Sequence, residues 1–225
     1  MTASKGLRAK RSDAGSVRLS ERDVRVLRWL GEMFGAPMAV VAELYGVGER
    51  DARRHAARLE QAGFASRQLA PGGAWLVPTR RGLRFAGLDH EAWALVAWKG
   101  EHVATVGRLR LALQAQYPEA VWTSERAIRS RWAGSGARVR FADGQLAFEV
   151  TTVGIELELT RKQPHTYEGI AADIDPAFDQ VWWFTRNADQ GWLRGMLDAI
   201  PKPARPEHHV IALAGELAHV LRVRS

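Results

Sequence analysis

The chain has 225 residues, 46% of them hydrophobic, with nine tryptophans and a formal charge of +7. That is enough apolar material for one large domain or two small ones, and it excludes a disordered tail. The absence of cysteine excludes disulfides and thiolate metal sites, and no apolar run approaches the roughly 18 residues of a membrane span. The N-terminus "MTASKGLRAKRSDAGSVR" lacks the apolar core of a secretory signal, so the expected setting is the cytoplasm.

Residues 1–88 carry 16 Lys+Arg against 8 Asp+Glu, whereas residues 89–225 carry 16 against 17. Positive charge gathered in the first part points to an anionic polymer as partner, because phosphate neutralisation releases counterions. Residues 1–18 read as a basic arm with little apolar content. "LSERDVRVLRWLGEMFG" then predicts a helix capped by Ser20, with Asp23 three residues on completing a capping box. Val24, Leu27 and Leu30, widened by Val26 and Trp29, recur at helical spacing, and Gly35 and Pro37 are expected to stop the helix.

"PMAVVAELYG" predicts a second, short helix closed by Gly46. The third, "VGERDARRHAARLEQAGF", places Ala52, Ala56 and Leu59 inward and offers Arg50, Arg53, Arg54, His55 and Arg58 outward. Two β-type runs around Pro71-Gly72-Gly73 follow, then a closing helix in "TRRGLRFAGL". Three helices and a hairpin over residues 19–88 is the order of a winged helix–turn–helix. An arginine-faced helix suits the major groove of double-stranded DNA, with hairpin and arm reaching phosphates. Arg50, Arg53 and Arg54 are the candidate groove contacts, with Arg67, Arg80 and Arg81 as phosphate contacts. The competing reading has these arginines in solvated pairs with Glu49, Asp51 and Glu60.

Residues 89–100 read as a short helical linker to a second domain over 101–225. "HVATVGRLRLALQAQYP" predicts a helix, as does "TSERAIRSRWAG" with Ser124 as its N-cap. "ARVRFADG", "QLAFEVT" and "GIELELT" then predict three strands in a meander, followed by helix, strand, helix and strand. Trp182 and Trp183 read as core packing of a buried strand in a mixed sheet, the fold class being α/β of the α+β kind. His208 and His209 point to opposite faces and make no joint metal site. His165 and Tyr167 read as surface caps.

"GIELELTRK" sets Glu156 and Glu158 on the same side of one strand. Like charges so placed need open water or a cation. Asp143 stands at a neighbouring strand, Glu125 opens a preceding helix, and Lys162 ends the run. Asp143, Glu156, Glu158 and Glu125 form a candidate oxygen-ligand set for Mg²⁺ or Mn²⁺, with Lys162 to stabilise developing charge. The competing reading is an open sheet face with acids paired to Arg138, Arg140 and Arg161.

The helix–β–β–β–helix–β order, with Asp143, twelve intervening residues and Glu156-Leu157-Glu158, resembles the PD-(D/E)XK nuclease fold. With the N-terminal part, the chain resembles the replication-relaxation family of actinobacterial plasmids and mobile elements. The phrases that carry this are "LSERDVRVLRWL", "TSERAIR", "RFADGQL", "GIELELTRKQPHTYEGI" and "FDQVWWFT". The resemblance implies DNA binding in plasmid replication, relaxation or conjugation, with replication or conjugation proteins and a homodimer as further partners. On it Asp143 and Glu156 match the family's acids, and with Glu158 and with Lys162 as a substitute from farther along the chain they are the candidate catalytic residues. The sequence departs from the nuclease pattern at Glu158, where that family places its lysine. Two readings therefore stand: a Mg-dependent DNA endonuclease, and a non-enzymatic winged-helix regulator whose second domain pairs protomers or binds a partner.

Overall fold

A computed structural model describes residues 18–70, 73–132, 140–201 and 206–213. Residues 1–17 of the expected 1–18 arm, the Pro71-Gly72 corner, the Gly134-Ser135-Gly136 loop and Arg138 lie outside the described residues. Among those described, eight α-helices and two sheets form an α+β fold, and no helix is long and apolar enough to cross a membrane.

Helix α1 (Glu21–Glu32) starts where the sequence places it. Ser20 accepts from the Asp23 amide and Asp23 accepts from the Ser20 amide, closing the capping box. Its end is less conventional. The Gly35 amide donates to the Leu30 carbonyl at 2.8 Å, a Schellman turn, and the residue at the left-handed position is Phe34, with φ of 65°.

A two-residue strand β1 (Ala36–Pro37) leads to α2 (Met38–Tyr45), which Gly46 ends at φ 55°. Helix α3 (Glu49–Gln61) buries Ala52, Ala56 and Leu59 and no other residue, as its apolar spacing dictates. Strands β2 (Ala65–Ala70) and β3 (Gly73–Pro78) pair antiparallel, with β1 on the other side of β3. Helix α4 (Arg80–Phe85) is capped by Thr79, whose side chain accepts from the Gly82 amide.

Residues 89–96, expected to be helical, are irregular. Helix α5 starts at Ala97 and runs to Gln116. It lies against the first part of the molecule: Gly107 packs beneath the Trp29 indole, and Arg110 pairs with Glu32 at 2.7 Å while lying over the Trp29 ring. A strand that the sequence reading passed over, β4 (Val121–Ser124), precedes α6 (Glu125–Trp132), and Ser124 then caps α6 by accepting from Ala127.

Strands β5 (Gly144–Ala147) and β6 (Thr152–Glu158) follow. Residues 140–143, expected within a strand, are irregular, and β4 takes that third place in the sheet. The β4–β5 pairing leans on Gly144, because a Cβ there would stand 2.3 Å from the Trp122 indole of β4. Only glycine lets β4 and β5 close with that tryptophan buried between them.

Helix α7 (Pro164–Ile174), β7 (Gln180–Thr185), α8 (Gln190–Asp198) and β8 (Glu207–Ala212) complete the described chain. The sheet order is β4-β5-β6-β7-β8, antiparallel from β4 to β6 and parallel from β6 to β8. Strand β6 is therefore central. Its Ile155 and Leu157 join one continuous apolar cluster with Val26, Leu30, Leu109 and Phe184. On the other face, α7 and α8 pack Tyr167, Ile170 and Leu193 against Val181 and Trp183. Tyr167 is thus core and not a surface cap, which its 0% exposure establishes.

Candidate functional site

The outward face of α3 carries Arg50, Arg53 and Arg54, all exposed. Arg53 pairs with Glu49 at 3.4 Å and Arg54 with Asp51 at 2.7 Å, and on the hairpin Arg67 pairs with Glu60 at 2.6 Å. These are the solvated pairs that the sequence allowed. Exposed pairs of this kind contribute about 0–1 kcal/mol each, so they yield readily to a phosphate. Arg80 is exposed, and Arg81 lies over the Phe64 ring at 4.9 Å.

Arg58 is placed differently from its neighbours. Its Nη2 donates to both oxygens of the buried Asp23 at 2.6 Å, and Tyr45 donates to the same carboxylate at 3.0 Å. Burial would raise the Asp23 pKa, but the bonds from Ser20, Arg58 and Tyr45 outweigh it and hold the carboxyl below its usual range. Arg58 therefore locks α1, α2 and α3 together. The arginines of α3 that remain exposed are Arg50, Arg53 and Arg54.

The second cluster lies at the C-terminal end of β6. A cavity of about 600 Å³ there is lined by Asp143, Glu158, Glu125, Lys162 and His102, with Arg129 and Arg140 at its border. Four of the five acid and lysine positions singled out in the sequence thus meet around one space. Glu156, the fifth, is not in the lining: it is buried beneath, with 1% of its surface exposed. The open sheet face considered for the two glutamates is absent, because β6 is central and covered on both sides.

A cation or an imidazole faces each acid. Asp143 accepts from the Leu157 amide at 2.8 Å and meets His102 Nε2 at 2.9 Å. Glu158 is paired with Lys162 and also accepts from Thr160. Glu125 is paired with Arg129, one turn on along α6. Glu156 accepts from Arg140 at 3.3 Å, while its Oε1 is buried without a partner. Arg161, a candidate partner for these acids, instead pairs with Asp189.

The electrostatics follow from this arrangement. Burial pushes the Glu156 carboxyl well above the glutamate range, and the Asp143 charge adds to the effect. Burial raises Glu125 too, again with a contribution from Asp143. Burial would lower His102, but its bond to Asp143 and the charges of Asp143 and Glu125 outweigh that and raise it. Asp143 therefore acts on three neighbours at once. The donors suit a hard divalent cation in kind, being carboxylate oxygens with one buried oxygen unpartnered. Among the described residues, no group of three or more His, Cys, Asp or Glu side chains is placed to hold a metal ion.

Sequence reasoning missed His102, Arg129 and the aromatic part of the cavity wall. His102 sits 41 residues before Asp143, with no spacing signal to join them. Arg129 was legible in principle as the i+4 partner of Glu125.

A scan against protein-family models finds no match, and a search of curated proteins finds none. Among solved structures the chain is similar to protein VC1899 from Vibrio cholerae, with a TM-score of 0.34 and 12% identity. The likeness covers 91% of this chain and 57% of that one, so this chain spans little more than half of that protein's length.

Proposed function

We propose that the protein binds double-stranded DNA in plasmid or mobile-element replication or relaxation, and that its second half cleaves or nicks that DNA. On this reading the first half acts as a winged helix, with Arg50, Arg53 and Arg54 in the major groove and Arg67, Arg80 and Arg81 on phosphates. The observation that carries the proposal is the convergence of Asp143, Glu125, Glu158 and Lys162 on one cavity above the buried Glu156. On this reading Asp143 and Glu156 would hold Mg²⁺ or Mn²⁺, with Glu158 or Glu125 completing the set, and these side chains would have to draw together around the ion, since as described they do not surround one. The ion would supply polarisation of the scissile phosphate and an activated water. Lys162, now on Glu158, would turn to developing negative charge.

A second reading is favoured by one feature. Every acid of the cluster already has a cationic or imidazole partner, which is how a nuclease-like module without activity would neutralise itself. The protein would then be a DNA-binding regulator whose second half pairs protomers or recruits replication proteins.

Supercoiled plasmid incubated with the protein and Mn²⁺ separates the two. The nuclease reading expects nicked circles from wild type and a loss of about a hundredfold or more in Asp143→Ala. Equal nicking by both proteins, or none by either, favours the regulator. Mobility shifts across salt concentrations test the DNA assignment itself. Replacing Arg50, Arg53 and Arg54 by Ala should reduce both affinity and its salt slope.

A further inference from the structure

The cavity beside Asp143 and Lys162 has a second wall, and it is aromatic. Phe34 from the end of α1, Trp93 from the irregular segment and Trp98 from the start of α5 line it. Phe34 and Trp93 lie with ring centroids 5.4 Å apart. Trp98 is 78% exposed, with the Lys99 ammonium 5.1 Å from its ring. Core packing does not explain a tryptophan presented to solvent in this way, next to a space able to hold a small ligand.

Phe34 supplies an independent observation. It occupies the left-handed position of the Schellman turn that ends α1, with φ of 65°. That position normally takes glycine, since a side chain there is strained. Strained residues persist where the surroundings over-determine them and cluster at binding sites. Here the surroundings are the Trp93 ring and the Arg126 guanidinium, 4.7 Å from the Phe34 ring. A glycine would relieve the backbone and leave the cavity without this ring.

We infer that the aromatic wall stacks an unpaired nucleobase of a DNA strand, so that the substrate of this site is a single-stranded or locally opened segment and not intact duplex. This rests on the DNA-binding reading above. At about 600 Å³ the cavity falls within the range of sites for single small ligands; it admits a nucleotide taken out of the helix but not a paired stack. Every base presents a π-face, so aromatic rings hold it without regard to sequence. Lys99 lies over the Trp98 ring, and a base stacked on that face would displace its ammonium towards the phosphate of the same nucleotide. The duplex would stay on α3 while one strand enters the cavity.

The test uses the full chain in EDTA, so that cleavage plays no part. Its probes are a single-stranded oligonucleotide carrying 2-aminopurine, the matching blunt duplex and a free deoxynucleoside monophosphate. Wild type should bind the single strand and quench the 2-aminopurine. Trp98→Ala should weaken single-strand affinity about tenfold, as expected for one lost base–aromatic stack, and leave duplex affinity unchanged. Phe34→Gly should weaken it similarly, with its unfolding midpoint recorded to establish that it is folded. Duplex binding with single-strand affinity unmoved by Trp98→Ala overturns this inference and spares the DNA reading. Equal losses for both probes, or monophosphate binding as tight as the oligonucleotide, also overturn it. So does a Trp98→Ala change in oligomeric mass without a change in affinity, which would make the wall a protein contact. No binding of either DNA form at low salt sinks the DNA reading with it.

Discussion

Two buried carboxylates, one in each half of the molecule, have opposite surroundings. Asp23 accepts from Ser20, Tyr45 and Arg58, and its pKa is lowered. Glu156 accepts one bond of 3.3 Å from Arg140, leaves Oε1 without a partner, and has its pKa raised. A saturated acid holds structure together; an under-satisfied one stores unfavourable energy that a ligand can release. The first half has settled its buried charge. The second half keeps its own poised beside a cavity.

Removing Asp23 should produce the largest loss of stability. Asp23→Ala leaves Arg58 and Tyr45 facing an empty site and should destabilise by about 3 kcal/mol, the low end for a broken buried pair because Arg58 is partly exposed; urea unfolding measures this. The sign of its pH dependence follows from the lowered pKa. The stabilisation is present above the unfolded aspartate value of about 3.9 and is lost as pH falls through the folded value. In Asp23→Asn that acid limb should flatten.

Arg126→Ala comes next. Arg126 donates to the Gly31 carbonyl at 2.8 Å and to the Glu91 carbonyl, tying α6 to the end of α1 and to the irregular segment. Its loss should destabilise by about 2 kcal/mol, and hydrogen exchange should rise first around residues 31 and 91.

The smallest effect is expected from Glu156→Gln, and its sign sharpens the comparison. The raised pKa means that the native state keeps a proton which the unfolded chain releases above about 4.3. Wild-type stability from this group therefore falls as pH rises from that value towards the folded pKa. The Gln variant should match wild type in acid and exceed it increasingly as pH rises, the reverse of the Asp23 trend. A variant less stable than wild type at every pH would show Glu156 to be structurally satisfied.

Much of the first half was legible in the sequence because its signals are local. Ser20 and Asp23 cap within three residues, and Ala52, Ala56 and Leu59 alone define the buried face of α3. Strands β6 and β7 were legible for the same reason. Strand β4 was not: its four residues are too few for alternation to register, and the cap signal of Ser124 belongs to both elements. The acids of the cavity could be named from their types and spacing. Their partners could not, since His102 reaches Asp143 across 41 residues and Arg126 reaches Gly31 across 95. Phe34 shows a different gap: Gly35 reads as the stop of α1, yet the left-handed position falls on Phe34, which contacts Trp93 and Arg126.

The apolar cluster that passes unbroken from Val26 to Phe184 has a thermodynamic consequence. Although charge divides this chain in two, its largest apolar interior is shared between the portions, so melting one strips the other of part of its cover. Calorimetry should record a single endotherm, and halves expressed apart, severed between residues 89 and 96, should fail to stay folded alone.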